Sequence, residues 1–108
     1  MGFLTTHILD TAQGKPAAGI PIQLYAIGTE RKLVKTLISN QDGRTDEQLL
    51  SESEFATGTW ELVFSVADYF RNSTLDTDEP PFLDQIRLRF SISRDDHYHV
   101  PLLVSPWS

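Results

Sequence analysis

The chain has 108 residues and a formal charge of −6, nine Lys plus Arg against fifteen Asp plus Glu. Folded-monomer scaling at that length gives roughly 6,100 Å² of surface against about 17,700 Å² unfolded, enough for one domain over residues 1–108 and too little for two. The absence of cysteine excludes disulfides, thiolate metal sites and a cysteine nucleophile, and the acidic balance argues against nucleic acid or anionic lipid as a non-specific partner.

Residues 3–9 mix apolar and β-branched side chains and read as a strand. Gln13-Gly14-Lys15-Pro16 is a turn signal. Residues 20–26 alternate, with Ile20, Ile22, Leu24 and Ala26 on one face and Gln23 and Tyr25 on the other, until Gly28 breaks the pattern. Residues 32–38 predict a third strand. Asn40-Gln41-Asp42-Gly43 predicts a tight turn, because Asp-Gly tolerates the positive φ such turns need. Residues 45–56 are polar and acidic without a period, which predicts a loop with at most a short helical turn. Residues 59–66 read as a strand, and 66–70 fit one or two turns of helix. Residues 71–81 carry Asn, Ser, Asp, Glu and two prolines and predict a loop. Residues 86–92 alternate strictly, placing Ile86, Leu88, Phe90 and Ile92 toward the core. Residues 98–104 form the last strand, in which Pro101 marks an edge or a bulge.

Six or seven short strands separated by turn signals predict an all-β protein, an antiparallel β-sandwich with one short helix. No internal repeat or low-complexity segment divides it. The N-terminus lacks a basic region followed by an apolar run, and nowhere are there 18 consecutive apolar residues. The expected compartment is the cytoplasm, with no membrane partner.

Two of the three histidines form His97-Tyr98-His99. Residues two apart on a strand point to one side, so both imidazoles can face one cavity. Three readings are open: histidines without a special role, a metal site with His7 as a third ligand, and metal-free acid–base work. His99, Pro101 and Leu103 share one strand face, and Thr5, His7 and Leu9 share another. If those faces meet, the imidazoles lie in a partly apolar pocket that favours their neutral form. Arg44 ends the Asp-Gly turn, either as a solvated side chain or as a fork of donors for an oxyanion. Arg87, Arg89 and Arg94 fit the polar flank of a strand. The run Asp76-Thr77-Asp78-Glu79 fits a solvated loop, and Trp60 fits packing. Dinucleotide, Walker A and nucleophile-elbow motifs are absent.

Leu4-Thr5-Thr6-His7-Ile8-Leu9-Asp10-Thr11-Ala12, followed by Gly14-Lys15-Pro16-Ala17, resembles the opening signature of the transthyretin-like proteins. Asn40-Gln41-Asp42-Gly43-Arg44-Thr45-Asp46 resembles their second signature, and His97-Tyr98-His99-Val100-Pro101-Leu102-Leu103-Val104-Ser105-Pro106 their third. Tyr69-Phe70 and Pro81-Phe82-Leu83 also fall where that family has them. The resemblance implies a transthyretin-like (prealbumin-like) sandwich. The hormone carrier lacks the first motif's histidine and the third motif's second histidine, whereas this chain has both, as His7 and His99. It therefore resembles the enzyme branch, the 5-hydroxyisourate hydrolases of urate breakdown.

That resemblance implies hydrolysis of 5-hydroxyisourate to 2-oxo-4-hydroxy-4-carboxy-5-ureidoimidazoline with no metal and no organic cofactor. It assigns catalytic roles to His7, Arg44 and His99, and Pro101 and Leu103 would wall the substrate pocket. His97 is not one of the family's catalytic positions. The implied assembly is a homotetramer, a dimer of dimers with its sites in the channel between them. The family continues past the Ser-Pro-aromatic step to Tyr-Arg-Gly-Ser, whereas this sequence closes on Ser105-Pro106-Trp107-Ser108. The expectation is a domain without the final strand, with one sheet edge bared. Two alternatives accompany the hydrolase reading: a non-catalytic transthyretin-like binding protein, and a metal hydrolase using His7, His97 and His99.

Overall fold

A computed structural model describes residues 2–73, 75 and 77–107. Asp76, within the acidic run expected to be a solvated loop, lies outside the described residues. Two sheets pack face to face. The strands are β1 (Phe3–Asp10), β2 (Lys15–Pro16), β3 (Pro21–Ile27), β4 (Arg31–Ile38), β5 (Gly58–Ser65), β6 (Gln85–Ile92) and β7 (His97–Val104), with helix α1 (Ala67–Arg71) after β5. The three-stranded sheet has the order β2-β1-β7, and the four-stranded sheet β4-β3-β5-β6.

Side-chain alternation builds the interior of the larger sheet. Ile22, Leu24 and Ala26 of β3 stand opposite Phe64, Leu62 and Trp60 of β5. On the other side of β5, these three stand opposite Ile86, Leu88 and Phe90 of β6. Cross-strand apolar pairs of this kind stabilise a sheet by roughly 0.2–1 kcal/mol each. The expected inward face of β6 is therefore correct, although Ile86, Leu88 and Phe90 are only half-buried because β6 is an edge strand. Trp60 packs in the core and donates its indole N–H to the Ala56 carbonyl at 3.1 Å. On the outer face of β5, buried Glu61 accepts from Arg31 (2.9 Å) and Arg89 (3.1 Å) on either side. Arg89 thus has a structural partner that the sequence did not reveal.

The smaller sheet turns Leu4, Thr6, Ile8 and Asp10 of β1 inward, beside Tyr98, Val100, Leu102 and Val104 of β7. Buried Asp10 caps the turn that follows β1 by accepting the N–H groups of Ala12 (3.0 Å) and Gln13 (2.9 Å). It also takes the Tyr69 hydroxyl of α1 at 2.7 Å. Burial alone would raise the Asp10 pKa, but these hydrogen bonds outweigh it and hold the carboxyl below its ordinary value.

Pro101 does lie on an edge strand, as expected, because β7 ends its sheet. The expected antiparallel order holds for four of the five strand pairings among the described residues. The exception is β1 with β7, which run parallel. The chain reaches β7 by crossing from one sheet to the other, so β7 enters beside β1 in the same direction. No hairpin turn constrains that pair, and its orientation leaves no local mark in the sequence.

Candidate active site

The outer face of the smaller sheet is set by the parallel register of β1 and β7. Phe3 stands beside His97, Thr5 beside His99, His7 beside Pro101, and Leu9 beside Leu103. Every candidate from the first and third motifs is therefore on one face. The faces of β1 and β7 that carry these residues lie side by side in one sheet.

The second wall comes from the connection between β4 and β5. Gly43 donates its N–H to the Asn40 carbonyl at 2.9 Å, closing the predicted Asp-Gly turn, with φ of 75° at Gly43. Asn40 Oδ1 accepts the backbone N–H groups of Asp42 (2.9 Å) and Arg44 (3.2 Å). The turn is fastened to β1 where Ile8 donates to the Gly43 carbonyl at 2.8 Å. Further on, Leu4 donates to the Leu50 carbonyl and accepts from Leu49, each at 2.9 Å, and both leucines are buried. Fastened at Ile8 and at Leu4, the intervening residues bow away from the strand. Hydrogen-bonded turns form at Ser51, which accepts from Glu54 (3.0 Å) and Phe55 (2.9 Å), where a short helical turn was allowed for.

Under that bow lies a cleft of about 580 Å³. Thr5 and Thr6 of β1, residues 44–48 of the bow, and His97 and His99 of β7 line it. Arg44 and His99, two of the three expected catalytic residues, thus meet in one cavity. His7 is two residues beyond Thr5 on the same face and just outside this lining, against the turn: a Cβ on Gly43 would sit 3.2 Å from its Cδ2. Pro101 and Leu103 extend the face further, and Leu103 is 62% exposed.

The His99 side chain is exposed along β7, but partial burial of its ring first, then the charges of Arg44, His7 and His97, hold it below the ordinary histidine pKa of 6.5. Its imidazole is therefore neutral at pH 7 and able to accept a proton. Among the described residues the Arg44 guanidinium has no hydrogen-bond or ion-pair partner. Its donors are free for an incoming oxygen.

Thr5 was seen in the sequence only as a neighbour on the His7 face. Its hydroxyl lies 2.8 Å from His99 Nδ1 and 3.1 Å from His97 Nε2. His97 is stacked on Phe3, ring centroids 4.0 Å apart. The structure thus brings His97, set aside in the sequence, into the cleft. The signal was available: Thr5, His97 and His99 all have outward parity, but using it requires knowing that β1 and β7 are neighbours. Among the described residues no group of three His, Asp or Glu side chains is arranged to hold a metal ion, His7, His97 and His99 included.

Two sheets of this topology, with His99 and Arg44 lining one cleft over the outer face of the smaller sheet, define a transthyretin-like β-sandwich. The profile of the HIUase/Transthyretin family matches residues 4–108, and the chain belongs to that family. It is 51% identical over 110 residues to the 5-hydroxyisourate hydrolase of Pseudomonas aeruginosa, covering 100% of this chain and 87% of that protein. Among solved structures it is similar to (S)-allantoin synthase, with a TM-score of 0.91 and 46% identity over 99% of this chain. The chain spans 41% of that synthase's length. It is also similar to the 5-hydroxyisourate hydrolase of Klebsiella pneumoniae, with a TM-score of 0.80 and 27% identity, covering 100% of this chain and 93% of that one.

Proposed function

We propose that this protein is a 5-hydroxyisourate hydrolase of urate catabolism, opening the ring to 2-oxo-4-hydroxy-4-carboxy-5-ureidoimidazoline by metal-free acid–base chemistry. The observation that carries the reading is the convergence on one cleft of His99, neutral at pH 7, and Arg44, without a partner among the described residues. The identity with the Pseudomonas aeruginosa hydrolase supports it.

Hydrolysis of a cyclic amide needs an activated water, an electrostatic partner for the developing oxyanion, and a proton for the leaving nitrogen. His99 takes the proton from water. Arg44 holds the carbonyl oxygen as it becomes negative. His7, two residues along the face from Thr5, acts at the far side of the substrate and assists delivery of the proton to nitrogen. Pro101 and Leu103 shield the apolar side. The enzyme works in the cytoplasm as a homotetramer, a dimer of dimers, with the outer face of the smaller sheet turned toward the other subunits. Exposed Leu103 on that face supports its burial on assembly. Among the described residues no helix is long and apolar enough to cross a membrane.

The test generates 5-hydroxyisourate in situ from urate with urate oxidase and follows its decay by absorbance. Added protein is expected to accelerate the decay. His99→Asn and Arg44→Met are each expected to lower kcat by about 100-fold or more, the range for loss of a proton-transfer group or an oxyanion partner, with unchanged circular dichroism. A folded wild-type protein that leaves the decay rate unaltered overturns the reading.

A further inference from the structure

The Thr5 hydroxyl is held between two imidazole nitrogens, and a hydroxyl has one proton to donate. If it donates to one ring, it must accept an N–H from the other. The states of His99 and His97 are therefore linked through one oxygen. We propose that Thr5 is a positioning residue that holds neutral His99 in its Nδ1–H form and links it to His97 as a proton relay.

In the resting arrangement His99 Nδ1–H donates to Thr5 Oγ1, and the Thr5 hydroxyl donates to His97 Nε2. This leaves His99 Nε2 as a lone-pair acceptor, the state a general base requires. When His99 Nε2 takes a proton from water, its Nδ1 proton passes to Thr5 Oγ1. The original Thr5 proton passes to His97 Nε2. One N–H bond forms at each imidazole and one breaks at His99, so His99 ends neutral and His97 ends as the imidazolium. The hydroxide left by the water adds to the substrate carbonyl. The reverse sequence returns the proton for the leaving nitrogen, and no other reactant is needed.

The surroundings favour this direction. His99 is exposed along β7, but partial burial of its ring, then the guanidinium of Arg44 from the bow, His7 from β1 and His97 from β7, disfavour a charge on it. Asp46 and Glu47 face the same cleft from the bow. His97 is exposed, lies flat on the Phe3 ring, and follows Asp96, whose carboxylate accepts the His97 backbone N–H at 2.8 Å. The relay moves the positive charge from the ring that the Arg44 guanidinium disfavours to the ring stacked on Phe3.

The proposal rests on the hydrolase reading for its catalytic consequence, but its structural core is readable without substrate. Long-range ¹⁵N–¹H correlation spectra of the free protein report the tautomer of each histidine. Wild type and Thr5→Ser are expected to show His99 as Nδ1–H. Thr5→Val, which keeps the shape and strand preference but removes the hydroxyl, is expected to move His99 toward Nε2–H. In turnover, Thr5→Val is expected to lower kcat about 10- to 100-fold, the scale of an impaired acid–base step, with KM nearly unchanged. Its acidic limb should shift to lower pH, and Thr5→Ser should restore both. His99 found as Nε2–H in wild type, or unmoved by Thr5→Val, overturns the relay. The expected tautomers in a protein without activity would overturn the hydrolase reading and leave the relay standing.

Discussion

At His99 the direction of the pKa shift determines how the protein responds to acid. The unfolded side chain titrates at 6.5 and the folded one below it, because burial and three neighbouring positive or ionisable groups disfavour the imidazolium. As pH falls below 6.5 the unfolded chain binds the proton first. His99 therefore withdraws stability between 6.5 and its folded pKa, and contributes no further pH dependence above or below that window. Arg44 is the largest of the charged causes. Arg44→Met is expected to raise the His99 titration midpoint toward 6.5, followed through its Cε1 proton by NMR. A midpoint that stays in place would mean that the Arg44 charge does not contribute to the shift. The residue types needed for this chemistry were legible in the sequence. The neutral state of His99 was legible only conditionally, because it depends on how much water the neighbouring strand and bow exclude.

The bow between β4 and β5 converts a sheet surface into a cleft, and its geometry hangs on Gly43. At φ of 75° a side chain is strained, and a Cβ there would collide with the Ile8 carbonyl oxygen. Gly43→Ala is expected to destabilise the fold by about 1–3 kcal/mol, the scale for a non-glycine residue in such a conformation, measured by denaturant unfolding. It should also reduce turnover, because the Gly43 carbonyl holds the Ile8 N–H and the next residue is Arg44. Wild-type stability in this variant would show that the turn can relax. The Asp-Gly signal revealed this turn from the sequence alone. The second anchor was harder to see, because residues 45–56 lack a period and read as polar loop. Leu49 and Leu50 were the available clue, an apolar pair that is buried while donating to and accepting from Leu4.

At the scale of the whole molecule, the two sheets leave the face that carries the proposed catalytic residues on the outside. Leu103, at 62% exposure, shares the outward face of β7 with His97 and His99, and Trp107, just past the strand, is 60% exposed. On the proposed tetrameric arrangement, Leu103→Asp places a charge in an interface that excludes water. It is expected to lower the sedimentation coefficient to that of a smaller species while circular dichroism stays native. A tetramer that survives this change would locate the contact elsewhere. The core beneath should be indifferent to it, since Leu4, Ile8, Leu62 and Phe64 face the opposite side of their sheets and are fully buried.

Apolar and β-branched runs located six of the seven strands, and alternation in residues 20–26 and 86–92 showed which side chains share a face, because a strand's period of two is a local property of the backbone. Motif resemblance singled out His7, Arg44 and His99, and the Asp-Gly pair marked the turn beside Arg44. The tertiary structure decided which faces become neighbours. Thr5 and His99 are 94 positions apart, and only the parallel pairing of β1 with β7 sets the hydroxyl 2.8 Å from the imidazole. That register is chosen by the burial of Leu4, Ile8, Leu102 and Val104 against the opposite sheet, a non-local competition that no window of the sequence contains.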